Sequence, residues 1–227
     1  MQQGIDTAGT RAGDSAGMAR AVGTAVRSKT VGLIALEHSH AAYRADFAMY
    51  GAAIVGLAVF LAVEAPHESW LTTVALTVLG LFCWSAIEYA LHRFVLHGLQ
   101  PFLGWHEAHH ERPTALICAP TILSAALIVA LVFLPALMLS DLWRACALTL
   151  GVMTGYLGYA MTHHATHHLR ANSDWLQCRK RWRALHHRRT SPSSGHYGVT
   201  SAFWDHLFGS ASTLAAAVSA TRHDTSL

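Results

Sequence analysis

The sequence predicts an all-α integral membrane protein: four transmembrane helices in two hairpins, carrying a histidine-rich, metal-binding cap on the cytoplasmic side. Three observations predict it. Hydrophobic residues make up 52% of the 227 residues and charged residues only 13%, about half the ~25% usual for soluble domains. The apolar residues gather in four long runs. Histidine reaches 17 residues, against 16 Lys plus Arg, and clusters just outside those runs.

The runs are Phe47 to Val63, Trp70 to Ile87, Ala115 to Leu139 and Ala145 to Thr162, of 17, 18, 25 and 18 residues, and none contains Asp, Glu, Lys, Arg or His. A bilayer core needs ~20 apolar residues per helix, with ~17–25 tolerated. Core helices of a soluble bundle usually keep a polar face, and these have none. Pro120 and Pro135 fall near the ends of the third run, where a late start or a kink costs least.

Short turns, Glu64 to Ser69 and Ser140 to Arg144, pair the runs as hairpins. The N-terminus, the segment from Glu88 to Thr114 and everything after His163 then share one face. That face holds fifteen of the sixteen Lys and Arg, all but Arg144, which by the positive-inside bias makes it cytoplasmic. Residues 1–45 are expected to be a tail, with Met18 to Tyr43 equally compatible with a loose chain and a basic surface helix. Residues 46–210 form the membrane domain and 211–227 a small polar tail. No signal-peptide stretch precedes Val31. The net charge of +3 is too mild for a nucleic-acid partner. Cys83, Cys118, Cys146 and Cys178 never form a CxxC motif, so neither disulfides nor thiolate metal sites are expected.

Twelve histidines flank the spans on that one face: His92 and His97; His106, His109 and His110; His163, His164, His167 and His168; His186, His187 and His196. His106, His109 and His110 are spaced i, i+3, i+4 and share a helical face. His163 with His167, and His164 with His168, are i, i+4 pairs on adjacent stripes. His92 and His97 are five apart, roughly 140° round an ideal helix, so they meet only if the helix ends or bulges between them. Glu88, one turn before His92, is placed to accept that histidine's second ring N–H. Uncoordinated imidazoles so crowded would repel whenever protonated, whereas a divalent cation binds them neutral. Zinc, copper, iron and nickel all suit imidazole, and the number of ligands suggests two ions. His38, His40, His67 and His223 read instead as interfacial side chains. A metal transporter would place ionisable residues inside its spans, and the absence of any in the four runs counts against one.

The strings EYALHRFVLH (Glu88–His97), HEAHH (His106–His110), HHATHH (His163–His168), LHH (Leu185–His187) and HYGVTSAFWDHLFGS (His196–Ser210) resemble the histidine boxes of the fatty acid hydroxylase and sterol desaturase superfamily. The C-terminal string is most similar to the lipid 2-hydroxylase branch. The resemblance covers roughly Trp84 to Ser210. It implies two Fe ions with O2 as co-substrate, zinc being a substitute in purified material, and oxidation of a C–H bond in a membrane lipid. The nine ligands it implies are His92, His97, His106, His109, His110, His163, His167, His186 and His187, with His164, His168 and His196 less firmly attached. It implies no catalytic side chain beyond the metal centre.

The resemblance breaks at Arg183, which stands where the family has a histidine. Arginine keeps its proton at working pH and cannot ligate. Either one metal has a thinner shell, or His196, His164 or His168 substitutes, or the site is damaged. The N-terminal segment is expected to be too short for a fused b-type cytochrome, so a separate cytochrome or ferredoxin is expected to deliver electrons. The basic stretch Arg179 to Arg189 would meet that acidic partner or anchor to lipid phosphates. Trp204, Asp205 and Phe208 read as a lid, with Asp205 also open to a role as acceptor for a ligand histidine or as a turn residue. Desaturation and carotenoid or sterol oxidation are the neighbouring chemistries, the carotenoid enzymes lacking a tail like this one.

Overall fold

The computed structural model describes residues 37–187 and 195–211. All of them lie within one compact unit, residues 32–227. The N-terminal segment up to Leu36, expected as a tail or a surface helix, the tail after Ala211 and His223 fall outside the described residues. Among the described residues the repeated structure is helical, with one isolated bridge joining Glu37 to Ile117.

Helix α1, His40–Glu64, starts earlier than its apolar run because Ser39 caps it: the Ser39 side chain accepts the Ala42 N–H at 3.2 Å, satisfying one orphan donor of the first turn. A short turn leads into α2, Trp70–Ala90, which runs on without a break into a π-helical turn, Leu91–Leu96. Helix α3, Phe102–Glu111, follows. The third apolar run starts its helix at Thr121 rather than Ala115, because Pro120 supplies an extended N-cap and Ile117 is held in the bridge to Glu37. That helix comprises α4, Thr121–Ile128, a π turn, Val129–Phe133, and α5, Leu134–Leu139. The π turn lies immediately before Pro135, whose missing N–H and bulky ring would otherwise disturb the preceding helical turn. Asp141 caps α6, Leu142–His168, accepting the Arg144 N–H at 2.9 Å. Helices α7, Asp174–His187, and α8, Phe203–Leu207, are the last helices among the described residues.

Among the described residues, three helices are long and apolar enough to cross a membrane: His40–Glu64, His67–Leu96 and Thr121–Leu139. Their outer faces carry exposed aliphatic side chains such as Val59 and Leu131. The sequence anticipates a fourth crossing in α6, which is 27 residues long but is not among those three. Its apolar stretch is diluted by small residues, and these are what it buries: Ala145, Ala147, Thr149, Gly151 and Gly155. Helix α6 packs on α1, α2, α5 and α7. Small residues let helix backbones approach closely where no water drives association.

The α2–α6 contact is the tightest. A Cβ added at Gly151 would lie 2.0 Å from the Thr77 carbonyl, and one at Gly80 would lie 2.2 Å from that of Leu148. Gly155 backs onto the Trp84 ring in the same seam. This seam fixes the height of α6 against α2, and with it the height of the histidines at their ends. All four cysteines are free thiols.

Substituting Gly151→Ala should therefore force the two helices apart, costing ~1–3 kcal/mol as overpacked sites do. Gly56→Ala, where nothing lies within 4 Å, should be neutral or stabilise by up to ~1 kcal/mol. Thermal unfolding in detergent reads the difference, and equal melting of the two variants would contradict the close seam.

Candidate metal centre

Four elements deliver imidazoles to one buried layer: the π turn after α2, and helices α3, α6 and α7. The π turn answers the spacing problem of His92 and His97. Its wider i→i+5 winding brings the two rings to 5.4 Å between centroids. Helix α3 presents His106, His109 and His110, α6 presents His163 and His167, and α7 presents His186 and His187.

The nitrogens form two groups. In the first, His92, His97, His106 and His186 have ring nitrogens within 4.8 Å of one another. Nε2 of His92 is 3.1 Å from Nε2 of His106, and Nε2 of His97 is 3.1 Å from Nε2 of His186. His110 adjoins this group, its Nε2 being 3.0 Å from that of His106 and 3.1 Å from that of His186. The second group is His109, His163 and His167. His187 bridges the two, stacked on His110 at 4.2 Å and 5.2 Å from His167.

Backbone carbonyls decide which nitrogen each ring offers. His186 Nδ1 donates to the Gly195 carbonyl at 2.8 Å, and His92 Nδ1 donates to the Tyr197 carbonyl. Both Nε2 atoms are thus left as lone pairs, aimed at other imidazole nitrogens about 3 Å away. Two ligand nitrogens ~2.1 Å from one ion and at right angles to each other lie ~3.0 Å apart. The donor set of the first group therefore suits a divalent metal.

The loop carrying those carbonyls is itself tied down by two buried carboxylates. Asp205, fully buried, accepts the Tyr197 N–H at 2.8 Å, the Gly198 N–H at 2.7 Å and the Ser210 hydroxyl at 2.7 Å. Gly198 fits because a Cβ there would meet the Ser201 carbonyl at 1.9 Å. Glu88 accepts the Val199 and Thr200 N–H groups at 2.7 and 3.0 Å and the Thr200 hydroxyl at 2.6 Å. This corrects the expected Glu88–His92 contact: Glu88 grips the loop, and the loop carbonyl meets the histidine. Trp204, read from the sequence as part of a lid, bonds the Ser85 hydroxyl at 3.1 Å, pinning α8 to α2.

Arg183 sits in the middle of the second group. Its Nη2 lies 3.1 Å from Nε2 of both His109 and His163, its Nε 3.3 Å from Nε2 of His167, and its Nη1 3.4 Å from Nε2 of His92. Burial lowers this guanidinium to about 10, which leaves it charged at neutral pH. Burial first, and the Arg183 charge second, hold His97 down to about 4, His167 to about 3 and His109 and His187 to about 2, with His106 and His186 also depressed. The layer is neutral imidazole around one fixed cation.

Three sequence candidates stand apart. His164 and His168 stack on each other at 4.6 Å on the far stripe of α6, His164 reaching the Tyr43 hydroxyl at 3.2 Å. His196 packs on Trp182 at 4.4 Å. His38, expected at the interface, is buried with its Nδ1 3.1 Å from the Cys118 sulfur. Sequence reasoning missed the Gly195 and Tyr197 carbonyls, since any residue supplies one. It located Arg183 but not the four nitrogens that the guanidinium meets.

A cavity of about 160 Å³ opens onto His106, His109 and His163, walled by Phe47, Leu96, Phe102, Trp105, Leu123, Tyr156 and Tyr159 among others. Its lining is mostly apolar, with Asp46, Tyr43, Tyr156 and Tyr159 adding polar groups besides the three histidines.

A fatty acid hydroxylase family model matches residues 77–210. The chain is 32% identical over 153 residues to the ceramide very long chain fatty acid hydroxylase scs7 of Schizosaccharomyces pombe, covering 60% of this chain and 43% of that protein. It is 32% identical over 151 residues to the dihydroceramide fatty acyl 2-hydroxylase FAH1 of Arabidopsis thaliana, covering 62% of each. The aligned part thus spans 43–62% of the length of these relatives. A solved structure of full-length scs7p, with only the hydroxylase domain visible, superposes with a TM-score of 0.65 at 24% identity, over 76% of this chain and 67% of that one, a likeness of fold.

Replacing Asp205 with Ala should release the 195–200 loop and loosen the His92 and His186 rings. Where outer contacts of this kind orient metal ligands, their loss costs ~10–100-fold in affinity. Competition against a chromophoric chelator measures this, and an unchanged metal affinity would remove the loop from the site.

Proposed function

The chain belongs to the fatty acid hydroxylase family, and on that premise we propose that it is an iron- and O2-dependent hydroxylase of fatty acyl chains working at the membrane surface. The observation that carries this reading is the convergence of the His92, His97, His106 and His186 imidazoles beside a mostly apolar cavity, onto which His106 of that tetrad and His109 and His163 of the second group open. The matched relatives are ceramide or fatty acyl hydroxylases, two Arabidopsis proteins among them being dihydroceramide fatty acyl 2-hydroxylases. The carbon next to the acyl carbonyl is accordingly the proposed target.

The tetrad His92, His97, His106 and His186 would hold an iron ion, and His109, His163, His167 and His187 face the place of the second that the resemblance implies. Bound iron supplies the activation of dioxygen needed to attack an unactivated C–H bond. The overall change inserts one oxygen atom of O2 into the C–H bond and releases the other as water, with two electrons and two protons from a separate donor. The chain's own residues do the rest. The Gly195 and Tyr197 carbonyls hold the ligating rings in one tautomer. Phe102, Trp105 and Tyr159 exclude water and confine the acyl chain, so that one carbon points at the histidine end. Tyr159 also packs face to face with His163, 5.9 Å between centroids, bracing that ring against the cavity.

Helix α6 makes the fourth crossing, supported by its 27-residue length and its packing on α1, α2 and α5. Both termini and the histidine layer face the cytoplasm, supported by the fifteen Lys and Arg on that side. A b-type cytochrome or ferredoxin docks there, drawn by the basic stretch from Arg179, of which residues 188 and 189 lie outside the described part.

Expression in a host without 2-hydroxylated lipids, under 18O2, should yield 2-hydroxy acyl lipids carrying one heavy oxygen. The His186→Ala variant should drop that product to background. Unlabelled product, or product persisting in the variant, would sink the proposal.

A further inference from the structure

We propose that the Arg183 guanidinium takes the place of one metal ion, so that this chain holds a single divalent metal on His92, His97, His106 and His186. The inference rests on reading the histidine layer as the metal site of the hydroxylase.

Helix α7 sets Arg183 one turn before His186, facing the same layer. Guanidinium is planar and carries its donors in a fixed fork. Here that fork meets Nε2 of His109 and His163 at 3.1 Å and of His167 at 3.3 Å. Those are the lone pairs a second ion would need. A lone pair that accepts an N–H cannot at the same time bind a metal, so the arginine and that ion exclude each other. His187 Nε2, beside this group, is buried without a hydrogen-bond partner, and the guanidinium leaves it so.

The arginine is built in rather than stray. It is 5% exposed, and among the described residues no carboxylate pairs with it. A buried charge without such a partner is costly unless hydrogen bonds compensate, and the compensation comes from neutral imidazoles on α3, α6 and the π turn. The first group is left nearly untouched. Only His92 meets Arg183, at the longer distance of 3.4 Å, while His97, His106 and His186 keep their nitrogens directed at one another. One complete set of ligands remains, and one set is occupied by a side chain.

The test is metal stoichiometry. Purified full-length chain in detergent, stripped and then loaded anaerobically with Fe(II) or with Zn(II), should bind about one equivalent by mass spectrometry of the metals. Arg183→His should bind about two, and its Co(II)-loaded form should show the magnetic coupling of a pair where the parent shows an isolated ion. The parent measurement alone decides the matter if the variant does not fold: two equivalents there, with a metal–metal distance in X-ray absorption, would overturn the inference. So would one equivalent in both proteins. Two equivalents together with hydroxylated lipid would overturn the inference and leave the hydroxylase reading standing. One equivalent without lipid product would do the reverse, and none in the parent would overturn both.

Discussion

The histidine layer sets one electrostatic requirement: closely packed imidazoles must stay neutral and keep lone pairs free for a positive partner. Neutral rings are possible because burial strips away the water that would stabilise imidazolium. Lone pairs that converge in such a layer are satisfied by an N–H donor or by a cation. Arg183 supplies such charge permanently to the His109, His163 and His167 group. The tetrad beside it has the donor chemistry to take a metal.

The remainder of the fold can be read as the means of meeting that requirement. Glycines in the α2–α6 seam bring two backbones into contact and set the ends of both helices at one height. The π turn Leu91–Leu96 redirects the chain so that His97 joins His92 instead of facing away. Tautomers are chosen by carbonyls on an irregular loop, and that loop is immobilised by Glu88 and Asp205, whose oxygens take up its N–H groups. The polar apparatus is thus layered: carboxylates hold backbone, backbone holds imidazole, and imidazole faces the cation.

The apolar apparatus serves the substrate side. Aromatic side chains from α1, α3 and α6 wall a narrow cavity that ends on His106, His109 and His163. In the proposed hydroxylase, an acyl chain entering such a cavity would trade lipid surroundings for protein surroundings of similar polarity, so shape would govern its binding and the choice of one carbon among many that are chemically alike.

Much of this is legible in the sequence, because its signals are local. Absence of charge over 17 to 25 residues marks a span whatever the neighbours are, and histidines at i, i+3 and i+4 must share a face once a helix is granted. HEAHH and HHATHH are weak signals singly; the boxes taken in order between the apolar runs are what point to the family. The fourth run is expected to be a span on the same ground, yet α6 is not among the three helices apolar enough to cross a membrane, since the small residues of its packed face dilute its hydrophobicity. Only tertiary structure could decide the remainder. Glu88 sits one turn from His92 in sequence, yet its oxygens are claimed by Val199 and Thr200, more than a hundred residues on. His164 and His168 have the same spacing as His163 and His167, but the rotation of α6 turns them to the other side. Sequence alone determined that Arg183 breaks a histidine box; three-dimensional packing decided that its charge lands among four imidazole nitrogens, because hydrogen-bond partners are chosen by proximity in space and not along the chain.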